Sequence, residues 1–229
     1  MNTLPRLLAV MAATLVLLAV PVTKALAGTA TYYVNQSNVE SVLPDGTDYL
    51  KVVIDSTTAG TATFDITPVF SFSLGTNFGL QAFGFNYGGS NAIGSGNFSD
   101  LAPGWTIDLP PPSGMDGFGK YDFIVQTTGS NRQSPLVFTV TGLGGATTAD
   151  TLGYFAKMSS GNAGQGNQFF AARLAGFTTS DANITSGYFA GSSVAPVPES
   201  GSYALMLAGL FLLIPITRQR KQNQTATDI

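Results

Sequence analysis

The chain contains neither cysteine nor histidine. Without cysteine there is no disulfide framework, no thiolate metal site and no cysteine nucleophile. Without histidine the usual general base and the commonest metal ligand are both gone. A Ser-His-Asp or Cys-His arrangement is therefore excluded, and no Ser-x-x-Lys pattern takes its place. Charge is scarce as well: 10% of the 229 residues are charged, against about 25% in an average soluble domain. Between Gly28 and Pro196 five basic residues (Lys51, Lys120, Arg132, Lys157, Arg173) face eleven acidic ones, a net of −6. A sparse acidic surface repels phosphate backbones, which speaks against nucleic acid as a partner. Gly, Ser, Thr and Asn solvate the surface instead, and they favour turns and strands over helices.

The two ends differ from the middle. Residues 1–27 have the form of a secretory signal: Arg6 supplies the positive start, Leu7 to Val20 is an uncharged and mostly aliphatic run, and Pro21 ends it. Ala25-Leu26-Ala27 is a small-x-small cleavage pattern with Gly28 as the new N-terminus, which implies Sec-type export and signal peptidase as partners. An uncleaved anchor is the competing reading, and the shortness of the apolar run weighs against it. At the other end, residues 194–201 form a Pro-rich linker (Val194-Ala195-Pro196-Val197-Pro198-Glu199) kept extended by its prolines. Residues 202–217 carry no formal charge and are dominated by Leu, Ala, Ile and Phe, and residues 218–229 open with Arg218, Arg220 and Lys221. Eight strongly apolar residues in that stretch contribute roughly −4 kcal/mol to membrane insertion. Sixteen residues of helix rise only about 24 Å, short of the ~30 Å hydrocarbon core, and snorkelling by Arg218 closes part of the gap. The basic cluster sets the orientation, with the C-terminus cytoplasmic and the body exported. A buried C-terminal core helix is the alternative, against which stand the proline spacer before it and the basic stop after it.

The order Val197-Pro198-Glu199, short apolar helix and Arg-x-Arg-Lys stop resembles the PEP-CTERM sorting signal of exported proteins in Gram-negative bacteria. Tyr203-Ala204-Leu205-Met206-Leu207-Ala208-Gly209-Leu210 is similar to the usual opening of that family's helix. Ser200 stands where the motif's second proline is expected, and eight residues trail the basic cluster. The resemblance covers about thirty residues. It implies recognition by an integral-membrane exosortase, a place at the cell envelope or surface, and an association with extracellular polysaccharide and biofilm matrix. Phe169 to Phe177 and Ser186 to Gly191 also look like segments that precede such signals.

Residues 28–193 then form the exported body, long enough for one domain with a real core. Period-two patterning dominates it: Phe70, Phe72 and Leu74 share one face, and so do Phe83, Phe85 and Tyr87; Trp105, Ile107 and Leu109; Tyr121, Phe123 and Val125; and Leu136, Phe138 and Val140. Strands are also expected at 49–55, 61–66, 168–174 and 186–190. A short helix is expected over 148–158, where Leu152, Phe155 and Ala156 fall at i, i+3, i+4 behind threonine caps. Residues 90–104 and 110–119 read as long loops at one edge. The fold class expected is all-β, an antiparallel jelly-roll-like sandwich.

No cofactor, metal or catalytic residue is assigned. A glycosidase needs two carboxylates about 5–10 Å apart; Asp100, Asp108, Asp116 and Asp122 are the available set, with solvated turn aspartates the plainer reading. Calcium is the one metal the composition allows, yet Asp45-Gly46-Thr47-Asp48 and Asp116-Gly117 are too short for a calcium loop and read as turns. The speculative glycan contacts are Trp105, Tyr87 and Phe118, which sit beside Gly/Pro/Asn-rich segments. Flanking glycines suggest that Phe118 is exposed. The functional expectation is a non-enzymatic surface or matrix protein of structural or adhesive type. The alternatives are a polysaccharide-binding module and an Asp-dependent enzyme acting on matrix glycans.

Overall fold

The computed structural model of the protein describes residues 28–145 and 147–194. The signal segment, all of the linker beyond Val194, the apolar stretch 202–217 and the basic tail lie outside the described residues. No helix among the described residues is long and apolar enough to cross a membrane.

Short strands separated by Gly-rich turns build two six-stranded antiparallel sheets. The strands are β1 (Thr29–Val34), β2 (Gln36–Ser37), β3 (Leu50–Asp55), β4 (Ala62–Pro68), β5 (Ser73–Phe85), β6 (Phe98–Ser99) and β7 (Trp105–Asp108). They continue with β8 (Ser113–Gly114), β9 (Lys120–Tyr121), β10 (Phe123–Thr127), β11 (Leu136–Val140), β12 (Phe170–Thr178), β13 (Ser186–Gly191) and β14 (Ser193–Val194). The first sheet runs β14-β1-β3-β4-β11-β6, the second runs β2-β13-β12-β5-β10-β7, and β8 pairs with β9 alone.

In the first sheet the alternation expected of a half-buried strand is clean. Leu50, Val52 and Ile54 of β3, Ala62, Phe64 and Ile66 of β4, and Leu136, Phe138 and Val140 of β11 are buried, and their neighbours face outward. The inner faces of the two sheets meet through aromatics. The Phe64 ring lies 5.0 Å from Phe85 and 6.1 Å from Phe83 across the sandwich, and stacks at 4.9 Å on Phe138 beside it. Phe155 meets the same ring edge-on at 4.9 Å. Offset and edge geometries of this kind add about 0.5–1.5 kcal/mol per pair beyond burial.

The helix α1 (Thr148–Gly153) is shorter than the 148–158 expected. Thr147 and Asp150 form a reciprocal cap: the Asp150 N–H donates to Thr147 Oγ1 at 3.2 Å, and the Thr147 N–H donates to Asp150 Oδ2 at 3.1 Å. Gly153 then ends the helix, and Phe155 still reaches the core beyond it.

Three further expectations are corrected. Phe70 and Phe72 pack on Tyr49 in the segment that crosses from β4 to β5, but Leu74 is exposed, because it belongs to the opening stretch of β5, whose first six residues are exposed or half-buried on both faces. Tyr121 does not share the face of Phe123 and Val125. The ladder breaks at Asp122, and Tyr121 joins the opposite side of the second sheet. The two segments read as loops, 90–104 and 110–119, contain β6 and β8.

That opposite side decides where a site can be. The outward residues of the second sheet are small (Ala82 and Gly84 on β5, Ala171 on β12, Ala190 on β13), with Ile124 beside them. Met115, Phe118 and Tyr121 lie on this pavement and form a second, separate apolar cluster with it. A Cβ on Gly84 would stand 3.0 Å from Tyr121 Cγ and 3.2 Å from Met115 Cγ, so glycine is what lets the cover sit so close. Ser159 fixes the cover from below: its Oγ donates to the Phe118 carbonyl at 2.6 Å and accepts from the Gln168 N–H at 3.2 Å.

Candidate functional site

The aromatics expected to present a stacking face do not do so. Phe118 is 0% exposed, the opposite of its expected exposure, because its flanking glycines adopt left-handed turns (φ +84° at Gly117 and +86° at Gly119) that fold the ring under the cover. Trp105 is 8% exposed, and its indole Nε1–H donates to the Asn131 carbonyl at 2.8 Å. Tyr87 is 7% exposed, and its hydroxyl accepts the Gly144 N–H at 2.8 Å. All three belong to apolar clusters, so none offers a ring face to a sugar. Trp105 and Tyr87 can be buried because the polar edge of each finds a backbone partner.

The four candidate aspartates are held apart in separate structural duties. Asp108 accepts from Gln126 Nε2 at 2.8 Å, and Asp116 accepts from Asn38 Nδ2 at 3.3 Å. Asp100 sits at φ +63° and accepts from the Ser99 hydroxyl. Asp122 pairs with Lys157 at 2.8 Å and also accepts the Tyr87 N–H. The Lys157 side chain is 47% exposed, so this ion pair ties a loop more than it stabilises the fold. No hydrogen bond links any two of these aspartates among the described residues. Asp45 Oδ1 accepts the Ser37 N–H at 2.8 Å and Gly46 takes φ +87°, a turn as expected. No group of three or more acidic residues placed to hold a metal occurs among the described residues.

Open grooves mark the surface among the described residues, and three of them bear on function. One of about 500 Å³ is lined by Tyr87, Ile93, Leu109 and Asp122, and one of about 390 Å³ runs along the cover past Asp116 and Lys120. The third differs in charge. It measures about 560 Å³ and is lined by Arg132 and Arg173 together with Thr76, Thr178, Thr185 and Ser186. No acidic residue lines it, although acids outnumber bases more than two to one in the body.

Two irregularities in the β5–β12 ladder build this groove. The register shifts between Arg173 and Leu174 and again between Ala175 and Phe177, as at β-bulges that re-aim side chains. Gly176 takes φ +79°, and a Cβ there would stand 2.6 Å from the Asn77 carbonyl oxygen, so only glycine fits. Asn77 itself takes φ +56°, and its carbonyl accepts from Arg132 Nη1 at 3.0 Å. Arg173, opposite Ala82 and Tyr188, leaves the sheet just beyond the apolar cover, with its guanidinium 5.6 Å from the Tyr188 ring centre. The Nε of each arginine is buried without a hydrogen-bond partner. Neither guanidinium is paired with a carboxylate among the described residues, where Lys157–Asp122 is the one ion pair.

Sequence reasoning counted both arginines but gave neither a role. Forty-one positions separate them, and the fold brings both to the lining of one groove. Their share of the body's five cations was the available signal. No family model matches the chain, and no curated protein or solved structure matches it.

Proposed function

We propose that this is an exported, non-enzymatic protein of the bacterial cell surface or extracellular matrix, structural or adhesive in type. The observation that carries the reading is the ordered pair of terminal signals: a cleavable export segment ending at Ala27, and the Pro198-Glu199, apolar-helix, Arg218-Arg220-Lys221 sequence after the body. On this reading signal peptidase frees Gly28, and an exosortase-like membrane enzyme handles the C-terminal signal. The body between them is an all-β sandwich whose chain passes repeatedly between the two six-stranded sheets, a pattern that supports the jelly-roll-like reading. A surface solvated by Gly, Ser, Thr and Asn suits a protein that must stand outside the cell without relying on charge. The test is fractionation of cells making the full-length chain. The protein is expected in the membrane and extracellular fractions, and recovery of the intact chain from the soluble cytoplasm would end the proposal.

A second reading, a polysaccharide-binding module, is favoured by the arginine-lined groove and not by the aromatics. The groove's size falls within the range of small-ligand sites, about 300–1,000 Å³. Four hydroxyl-bearing side chains around it offer the short polar contacts that sugar hydroxyls require.

A further inference from the structure

We infer that the groove between the bulged end of β5–β12 and the Arg132 loop binds a hydroxylated carboxylate, of the uronic-acid class, with Arg173 as its principal anchor; this rests on the binding-module reading above. The Arg173 side chain makes no hydrogen bond among the described residues, its Nε is buried without a partner, and no acidic residue lines the groove. A partly buried guanidinium left without a counter-charge is costly, and the chain could have avoided that cost with any neutral residue. Arg132 is spent only in part, since its one hydrogen bond goes from Nη1 to the Asn77 carbonyl. Both guanidiniums line this groove, and the guanidinium fork matches the planar, two-oxygen geometry of a carboxylate through paired N–H···O bonds. The hydroxyls of Thr76, Thr178, Thr185 and Ser186 complete the match, because a ligand carrying hydroxyls beside its carboxylate finds donors and acceptors on the same surface. Tyr188, beneath Arg173, restricts the guanidinium's swing and so lowers the ordering cost of binding. The net −6 body disfavours a polyanion as a whole, and of the three grooves described this is the one lined by two basic residues and no acidic one, which favours binding here.

The experiment is calorimetric titration of the full-length protein with a galacturonic-acid trimer, a galactose trimer and sodium acetate. The uronate trimer is expected to bind, the neutral trimer and acetate at least ~10-fold more weakly, with affinity falling as salt rises. Arg173→Gln should cost ~10-fold or more. Arg173→Lys, which keeps the charge but not the fork, should recover only a small part of that loss. Unchanged thermal melting of both variants separates loss of the site from loss of the fold. Equal binding of the two trimers, insensitive to Arg173→Gln, would overturn the inference and leave a neutral-glycan module standing. Binding of neither trimer would overturn both, and a peptide with a free C-terminal carboxylate that outcompetes the uronate would overturn the saccharide assignment.

Discussion

The two sheets of the sandwich are made alike on the inside and differently on the outside. The first sheet presents Thr63, Asp65, Val137 and Thr139 to solvent, and across one pair of strands Thr63 and Thr139 share a hydroxyl–hydroxyl hydrogen bond at 3.0 Å. The second sheet is covered over much of its outer face by residues 113–121, and where the cover stops it carries Arg173 and Tyr188. A sheet wet on one side alternates in sequence, whereas a sheet dry on both sides does not. Residues 82–87 are accordingly buried without interruption.

This difference gives mutations a predictable ranking. Phe64→Ala, at the contact between the inner faces, is expected to destabilise most, by about 3–5 kcal/mol in chemical denaturation. Phe118→Ala removes a ring that is equally buried but lies in the outer layer, where the cover can settle onto the sheet; about 2–3 kcal/mol is expected. It should also make residues 109–121 newly sensitive to limited proteolysis, which Phe64→Ala should do only through global unfolding. Equal losses and identical cleavage patterns would mean that the cover is not a separate layer. Gly84→Ala should cost about 1–3 kcal/mol by pressing on Tyr121 and Met115, since overpacking is felt where a ring cannot retreat.

The smallest effect belongs to Tyr121→Phe. The Tyr121 hydroxyl is buried without a hydrogen-bond partner, so its removal should be neutral, or stabilising by up to about 1 kcal/mol, at neutral pH. Burial pushes this phenol well above its ordinary value. Above a pH of about 10 the unfolded chain therefore ionises there while the folded chain keeps the proton, and stability held below that pH is lost as pH rises. Tyr121→Phe should flatten this alkaline decline in part, because burial also raises Tyr32 and Tyr49. Melting temperatures recorded between pH 8 and 11 read the slope directly.

The comparison also explains what the sequence disclosed. Leu136, Phe138 and Val140, or Val52 and Ile54, announce their strands because half of each strand meets water. Phe83, Phe85 and Tyr87 are legible for their inner face only; nothing local to β5 signals that Ala82 and Gly84 lie beneath a cover more than thirty residues further along the chain. The cover itself, rich in Gly, reads as an open loop, and the glycines around Phe118 suggest exposure, whereas their positive φ is what buries the ring. Tyr121 was placed on the wrong face because a single break at Asp122 reverses the side of everything before it. The arginine groove was hidden for a third reason: it depends on register shifts, and period-two patterns carry no record of where a ladder slips.

Export, with the terminal signals read by membrane machinery, is the proposal on which the functional reading depends. Intact-mass analysis of the protein isolated from the envelope and medium of its native cells tests this most directly. Export with signal cleavage requires a species that begins at Gly28, with Met1 to Ala27 gone; a soluble species retaining all 229 residues would rule it out.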